Sequence, residues 1–439
     1  MSPVEVSPVV VGLIGFVALF SLLAFGLPIG VGMAIVGFGG LWYLISQGAA
    51  IAKFGLIPFD TVCNWDLGVL PLFLFMAHII FASGLSRDLY NVAAKWFGHQ
   101  RGGIAMATVG GCAGFSAVSA SSLATAVTMG LVALPEMKRY NYDPALATGC
   151  VAAGGTMGQL IPPSAGLITY GIITETSIGR LFAGGLVPGV LEAIFYMATI
   201  YILCRWKPSL GPRGPGYSLR EKVASFASCG EIIGLILLVL GGIILGWFTP
   251  TEAGAIGAFG AIVFSLFRRR LNWEKFKHAL VETMKTTGML YGILIGAFIF
   301  KYFLAVTTIP FVLADTVGGL PLPPLVIMVL VMLVYIFLGC VMDALTMILL
   351  TIPVFFPLVL SLGFVAIWFG IIIVRMVEIG LITPPIGMNV YAISGIAPDV
   401  PVTTIFKGVI PFLIADMFHV ALLLFVPAVV LFLPGIMMQ

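Results

Sequence analysis

Two pairs of adjacent prolines, Pro162-Pro163 and Pro384-Pro385, interrupt apolar segments that also carry serine, threonine and glycine. Proline has no backbone N–H and clashes with the preceding helical turn, so a helix must open at each pair. Backbone carbonyls freed in this way are costly in hydrocarbon unless protein, water or a cation satisfies them. A kink relieved by a neighbouring hydroxyl or water is the common outcome at a single membrane proline. Two matching double breaks instead favour oxygen sites for a cation such as Na+.

Side chains for bond-making chemistry are not grouped in this sequence. The cysteines lie singly, mostly in apolar segments, with no CxxC pair and no Cys/His cluster of the kind that zinc or iron–sulfur sites need. An intramembrane enzyme would need a nucleophile with its base, and no histidine lies near the serines of residues 116–122. The sequence therefore predicts no enzyme, no cofactor and no transition-metal site. The residues concerned are Cys63, Cys112, Cys150, Cys204, Cys229 and Cys340, with His78, His99, His278 and His419.

The composition is that of a membrane protein. The chain has 439 residues, of which 60% are hydrophobic and 9% charged, whereas a soluble protein has roughly 45–50% and about 25%. At about 20 residues per spanning helix, this length allows roughly ten to twelve crossings. We predict an all-α polytopic protein in a lipid bilayer, which excludes a soluble enzyme, a nucleic-acid-binding protein and a secreted disulfide scaffold.

The first apolar stretch, residues 9–25, precedes the first basic residue, Lys53. It therefore lacks the basic region of a cleavable signal peptide. The sequence predicts that this stretch remains as a membrane segment, with the amino terminus outside.

Positive charge predicts the sidedness of the loops. The connections 205–222 and 268–285 are rich in Lys and Arg, which places both in the cytoplasm. Two apolar runs, 230–247 and 252–267, lie between them and return the chain to the same side. The run 103–134 also has basic residues near both ends, so it forms either two thin spans or a re-entrant hairpin. Its middle is full of Gly, Ala and Ser, which favours the hairpin.

The two halves of the chain repeat one pattern. Residues 158–189 and 380–412 both run from glycine through a double proline and a short polar stretch to a Phe-x-Gly sequence. The double prolines are 222 residues apart, and the hairpin-like segment 339–358 precedes the second one. No Lys or Arg lies between Lys301 and Arg375, which indicates the opposite orientation for the second half. The pattern predicts an inverted-topology repeat, as in secondary transporters with broken helices near the bilayer midplane.

Several motifs together carry a family resemblance. They are SAVSASSLATA (Ser116–Ala126), EMKRYNYDPALATG (Glu136–Gly149), IPPS (Ile161–Ser164), Met342-Asp343 and EIGLITPPIGMN (Glu378–Asn389). With them, nearly the whole chain resembles the large membrane subunit of TRAP transporters, the tripartite ATP-independent periplasmic uptake systems.

The resemblance implies an elevator-type transporter with two re-entrant hairpins and two broken helices in its moving domain. It also implies Na+ coupling, a periplasmic substrate-binding protein and a small four-helix membrane subunit, which we expect as a separate chain. The location would be the bacterial inner membrane, with the amino terminus in the periplasm.

The resemblance also implies two sodium sites and a substrate region. The first site would contain Ser116, Ser119, Ser121, Ser122, Gly155, Thr156, Pro162 and Pro163. The second would contain Gly339, Asp343, Thr346, Thr383, Pro384, Gly387 and Asn389. The substrate would lie near Ser119, Ser164, Arg375 and Asn389. Many relatives have a Gly-Ser-Gly-Ser-like hairpin tip, whereas this tip is Ser-Ala-Ser-Ser at 119–122, so the role of each serine stays open.

The implied domain organisation alternates scaffold and transport segments. We expect scaffold helices and an amphipathic arm in 1–100, the first transport half in 101–180 and scaffold helices with a second arm in 181–337. The second transport half would be 338–400, followed by a scaffold helix in 401–439. The arms are predicted at 50–59 and 271–280, the second because its basic and apolar residues alternate at helical spacing.

Three charged residues lie in otherwise apolar stretches and need partners or a function. Arg375 and Glu378 are three residues apart, the spacing of an ion pair on one helix face. Direct contact between Arg375 and an anionic substrate is the alternative. Asp343 lies at a hairpin turn, where a carboxylate could offset a cation, cap a helix or do both.

The function predicted from these features is Na+-coupled import of an organic acid, with alternating access by an elevator movement. A passive channel lined by the serine hairpins is the alternative. Dicarboxylates, sugar acids and other carboxylates remain open as substrates, because a binding protein outside this chain largely sets selectivity in the family.

Overall fold

The structure is a computed structural model that describes residues 6–437. Within that range the regular elements are helical, apart from one isolated bridge between Ala120 and Ser164. The all-α prediction is therefore confirmed for these residues. The predicted outside position of the amino terminus concerns residues 1–5, which lie outside the described residues.

The first part of the chain contains five helices. They are α1 (Pro8–Ala24), α2 (Ile29–Leu44), α3 (Gln47–Cys63), α4 (Val69–Ala82) and α5 (Leu85–Phe97). Serine side chains begin two of them, because Ser7 accepts from the N–H of Val10 and Ser46 from that of Ala49. The predicted arm at 50–59 lies within α3.

The first double proline divides the second part. Its helices are α6 (Gly103–Ser119), α7 (Ser122–Arg139), α8 (Pro144–Leu160), α9 (Ala165–Thr174) and α10 (Ile178–Trp206). Helices α6 and α7 pack against each other across the turn Ala120-Ser121, and we name this unit hairpin 1. Helix α8 ends before Pro162-Pro163 and α9 begins after it, so the helix opens at the predicted place.

The third part differs from the sequence prediction in one helix. It contains α11 (Leu219–Ser225), α12 (Gly230–Ile244), α13 (Pro250–Phe267), α14 (Trp273–Thr307) and α15 (Ile309–Gly318). The predicted arm 271–280 is not separate from the following span, because both belong to the 35-residue helix α14. Lys and Glu are good helix formers, so the polar first turns continue the helix.

The fourth part repeats the order of the second. It contains α16 (Pro324–Gly339), α17 (Ala344–Ser361), α18 (Ala366–Gly380), α19 (Met388–Ile396), α20 (Val402–Phe425) and α21 (Ala428–Ile436). Helices α16 and α17 join through residues 340–343, and we name this unit hairpin 2. Pro384-Pro385 separates α18 from α19.

Six of the described helices are long and apolar enough to cross a membrane, or seven if α11 and α12, bent by 65° at their junction, count as one span. Six further apolar helices have 10–17 residues. The number of single-helix spans is below the ten to twelve crossings that the length allows. The reason is that the double prolines and hairpin turns divide several apolar runs into shorter helices.

The hairpins and broken helices exchange contacts between the two halves. Helix α7 of hairpin 1 packs against α19, and α17 of hairpin 2 packs against α9. Helices α8 and α18 lie against each other between them. Each hairpin therefore contacts the broken helix of its own half and the distal part of the other.

Two long-range contacts mark opposite ends of this unit. At one end Lys138 forms an ion pair with Asp399 at 2.5 Å, and this hydrogen bond holds the pKa of Asp399 below its usual range. At the other end the Tyr170 hydroxyl donates to the carbonyl oxygen of Ala366 at 2.7 Å. The end of α7 and the loop after α19 thus share one face of the molecule.

Candidate cation and transport site

The tip of hairpin 1 lies directly against the first helix break. Ala120 has a positive φ of 54°, which turns the chain, and Ser121 then caps α7 by accepting from the N–H of Ala124. The N–H of Ala165 donates to the carbonyl oxygen of Ala120 at 3.4 Å, so the tip pairs with the start of α9. Ser164 is fully buried there and caps α9 by accepting from the N–H of Leu167.

Glycines on α8 make room for the hairpin. A Cβ on Gly158 would lie 2.5 Å from the carbonyl oxygen of Ser121. A Cβ on Gly155 would lie 2.6 Å from Cβ of Ala126 and 3.0 Å from the carbonyl oxygen of Ser122. These distances are too short for any side chain, so the hairpin backbone contacts the backbone of α8 directly.

The serines of hairpin 1 have different partners. Ser119 Oγ and Thr125 Oγ1 are 2.6 Å apart, and Thr125 also donates to the carbonyl oxygen of Ser121. Ser122 Oγ donates to Glu378 Oε1 of α18 at 2.6 Å. Ser116 is fully buried, and its hydroxyl has no partner among the described residues.

Thr156 was predicted in the first sodium site, but its hydroxyl faces another helix. Thr156 Oγ1 lies 2.8 Å from Glu192 Oε1 and 3.1 Å from the Tyr196 hydroxyl, both on α10. Gly155 and Gly158 face hairpin 1, and one residue along a helix turns the side chain by about 100°. The structure thus groups the hairpin serines, Gly155 and the Pro162-Pro163 break, and directs the Thr156 hydroxyl away from them.

Hairpin 2 meets the second break in the same manner. A Cβ on Gly380 would lie 2.6 Å from Cα of Gly339, so the hairpin and α18 touch through backbone. Asp343 caps α17 by accepting from the N–H of Thr346 at 3.1 Å. Beside it, the Cys340 thiol donates to the freed carbonyl of Pro384 at 3.4 Å.

The remaining residues of the second predicted site divide between the two halves. Thr383 donates to the carbonyl oxygen of Ile379 at 2.6 Å, and Gly387 turns the chain into α19 with a positive φ of 60°. Asn389 is buried, and its amide nitrogen reaches the carbonyl oxygen of Ala152 on α8 at 3.5 Å. Its side-chain oxygen has no partner among the described residues. Asn389 therefore lies against the first half.

The two hairpins and breaks share one register. The cap residues Ser121 and Asp343 are 222 residues apart, as are Gly158 and Gly380 and the two double prolines. In both halves a capped turn places hairpin backbone against the glycine four residues before the double proline. The repeat seen in sequence thus corresponds to repeated geometry at the two sites.

The expected ion pair between Arg375 and Glu378 is wrong. Arg375 is fully buried and donates to Glu192 Oε1 at 2.7 Å, to the Tyr196 hydroxyl at 3.2 Å and to Asp416. Glu378 instead faces hairpin 1 through Ser122. Two carboxylates, one on α10 and one on α20, compete for the guanidinium more effectively than a neighbour on the same helix.

Sequence reasoning did not identify Glu192 and Asp416. Each is a lone acid inside an apolar helix, eight residues after the glycine of the Phe-x-Gly pattern at 182–184 and 406–408. That equivalence within the repeat was the available signal. The Gln159 side chain was also missed, although its oxygen accepts from the N–H of Gly166 at 2.6 Å and bridges the first break.

A separate cavity of about 940 Å³ lies at the end of the molecule that carries the α9–α10 connection. Its walls include the α3–α4 connection, the start of α13 and the last turns of α14. Lys301 on α14 borders it and donates to the carbonyl oxygen of Ile173 near the end of α9 at 3.0 Å. The cavity therefore separates the first broken helix from the helices around it. No group of three or more His, Cys, Asp or Glu side chains suited to a metal ion is found within residues 6–437.

Residues 16–429 match the family described as "Tripartite ATP-independent periplasmic transporter, DctM component". The chain belongs to this family. The TRAP resemblance is thereby confirmed, and members of the family are transport permeases rather than enzymes. The permease is a multi-pass membrane protein, as its apolar helices also indicate.

Related proteins support the same assignment. The chain is 36% identical over 398 residues to the C4-dicarboxylate TRAP transporter large permease protein of Pseudomonas aeruginosa, covering 90% of this chain and 92% of that protein. It is 30% identical over 414 residues to the sialic acid TRAP transporter large permease protein of Vibrio cholerae, covering 94% and 96%.

The fold of the permease is also similar to a solved structure, that of the Alcanivorax borkumensis YdaH transporter. The TM-score is 0.63 at 16% identity, covering 87% of this chain and 89% of that one. At this identity the similarity concerns the fold alone.

Proposed function

We propose that this permease imports an organic acid across the bacterial inner membrane, driven by Na+. The acid is delivered by a periplasmic substrate-binding protein, and a separate small four-helix subunit completes the membrane complex. Alternating access is achieved by an elevator movement of the hairpins and broken helices, with the amino terminus in the periplasm.

The observation that carries this proposal is the shared register of the two hairpin-and-break units. Each presents a capped hairpin turn against a glycine and a double proline, 222 residues apart. The loop charges give the two halves opposite orientations, so the pair supports an inverted repeat. Such repeats place substrate and ion sites where discontinuous helices meet near the bilayer midplane.

The chemistry of both sites suits Na+. Hard cations prefer oxygen ligands, and the units offer serine and threonine hydroxyls, freed carbonyls and side-chain amide oxygen. Ser116 and Asn389 supply buried side-chain oxygens without a partner among the described residues. A hydroxyl or amide left unpaired in the interior costs about 1–3 kcal/mol, and a bound cation would recover that energy.

The buried ion cluster supports a larger moving unit than the sequence predicted. Arg375 of α18 joins Glu192 of α10 and Asp416 of α20 without access to water. Separating these helices would leave charges unpaired in a low-dielectric interior. We therefore place α10 and α20 in the moving unit with hairpins 1 and 2, rather than in the scaffold segments 181–337 and 401–439. The frame would consist of α1–α5 and α11–α15.

The sodium gradient is sufficient for accumulation. Each Na+ that enters down a tenfold gradient releases about 1.4 kcal/mol, and each net charge that crosses 100 mV releases about 2.3 kcal/mol. Two Na+ ions entering with a monoanion would concentrate the anion by several powers of ten. The relatives named above are permeases for C4-dicarboxylates and sialic acid, which supports a carboxylate as the substrate class.

Uptake into proteoliposomes tests the proposal. The permease, its small subunit and the binding protein are combined with radiolabelled organic acids under an inward Na+ gradient. Accumulation above equilibrium that needs all three proteins and Na+ is expected. Equilibration without accumulation would instead identify the passive channel.

A further inference from the structure

Glu378 is a buried carboxylate that the predicted sites did not contain. Its Oε1 accepts from Ser122 Oγ at 2.6 Å, and the side chain is fully shielded from solvent. Its Oε2 has no partner among the described residues. Arg375, three residues earlier on α18, is committed to Glu192 and Asp416, so it does not offset this charge.

We propose that Glu378 supplies the negative charge of the cation site at hairpin 1, so that this site is built by both halves of the chain. The inference rests on the proposed function and adds to it a residue of the second half. The ligand class is a desolvated monovalent cation, Na+.

The local charge favours a cation at this position. An ionised carboxylate inside a membrane span is costly unless a partner offsets its charge. Ser122 is the first residue of α7, and a helix amino terminus carries roughly half a positive charge. The helix end therefore keeps the carboxylate ionised but offsets only part of its charge. A bound Na+ would offset the remainder.

Further oxygens border the same place. Gly155 of α8 faces the backbone of Ser122, and Ala152, one turn earlier on α8, accepts from the Asn389 amide. Asn389 and Glu378 thus contact neighbouring positions along α8 and hairpin 1. Ser116 and Asn389 each have a buried, unpartnered oxygen, as Glu378 does. Three elements therefore bring uncommitted oxygens to the tip of hairpin 1.

This arrangement would couple the two halves. A cation held by hairpin 1 and Glu378 binds best when α18 lies against the hairpin, and a ligand shifts a conformational equilibrium by its difference in affinity. Na+ at the first site would thus stabilise the docking of the second broken helix.

Sodium binding by the full-length permease with its small subunit in nanodiscs tests the inference. The thermal unfolding midpoint is measured against Na+ concentration, with K+ holding ionic strength constant. Glu378→Gln keeps an acceptor for Ser122 but removes the charge, so the half-saturating Na+ concentration should rise at least about tenfold, equivalent to 1.4 kcal/mol. Glu378→Asp keeps the charge and serves if the first variant does not fold; it should retain Na+ stabilisation at a raised half-saturating concentration. Glu282→Gln on α14 is the control and should match the parent protein.

The outcomes separate this inference from the proposed function. If Na+ stabilises the parent protein and E378Q shows the same half-saturating concentration, Glu378 is only a hydrogen-bond acceptor and the inference is overturned. If Na+ does not stabilise the parent protein, the proposed Na+ coupling fails as well. Selective loss of Na+ affinity in E378Q, with an unchanged midpoint in K+, supports the assignment.

Discussion

Arg375 of α18 donates to Glu192 of α10 at 2.7 Å, and both side chains are fully buried. The same guanidinium also binds Asp416 of α20. Glu192 in turn contacts Thr156 of α8, so four helices from both halves meet at one charged cluster. This cluster determines which helices are able to move together.

Replacing Arg375 by methionine should destabilise the permease strongly. The change leaves two buried carboxylates without their cation, and breaking a buried ion pair costs about 3–5 kcal/mol. Thermal unfolding of the purified complex measures the effect. The triple variant R375M/E192Q/D416N removes the charges together and should recover much of the loss. A midpoint of R375M equal to the parent's would contradict the role of the cluster.

Gly158→Ala and Gly380→Ala should both abolish most uptake. The added Cβ would lie 2.5 Å from the carbonyl oxygen of Ser121 in one case and 2.6 Å from Cα of Gly339 in the other, so each hairpin tip must shift. Gly241→Ala on α12 is the matched control, because no neighbouring atom lies within 4 Å of the position that its methyl group would take. Equal uptake by all three variants would show that the hairpin contacts are not required.

Thr156→Val and Ser116→Ala should separate stability from ion binding. The Thr156 hydroxyl bonds to Glu192, so its loss should cost about 1–2 kcal/mol of stability while the half-saturating Na+ concentration stays the same. Ser116 has no partner among the described residues, so its loss should leave stability in K+ unchanged and weaken Na+ binding. Unfolding midpoints at varied Na+ concentration check both. The reverse pattern would return Thr156 to the first sodium site.

Asp343→Asn and Asp343→Ala should distinguish the two roles considered for this carboxylate. Asn is as good a helix cap as Asp, whereas Ala loses the cap at about 1 kcal/mol. If Asp343 also offsets a cation, both variants should weaken Na+ binding while only Asp343→Ala lowers the unfolding midpoint in K+. An Asn variant with unchanged Na+ affinity would limit Asp343 to capping.

Local chemistry made the breaks and hairpins predictable from sequence. A double proline must open a helix, and the small residues of 110–130 favour a hairpin over two full spans. The 222-residue spacing likewise anticipated the matching contacts of Ser121 and Asp343.

Contacts between distant helices were not predictable in the same way. Helical spacing placed Arg375 and Glu378 on one face, but it contains no information about Glu192, 183 residues earlier. Thr156 was assigned to the hairpin by its proximity to Gly155, although one residue turns the side chain to α10. Hydropathy also separated 271–280 from the following span, because it reports polarity and not the continuity of the helix α14.

Uptake driven by Na+ alone is the most direct test of the proposed transport mechanism. Proteoliposomes containing the permease and its small subunit receive a binding protein loaded with radiolabelled organic acid, with an inward gradient of either Na+ or K+. We predict accumulation above the external concentration with Na+, and only background with K+ or without the binding protein. Full accumulation with K+ in place of Na+ would contradict the mechanism.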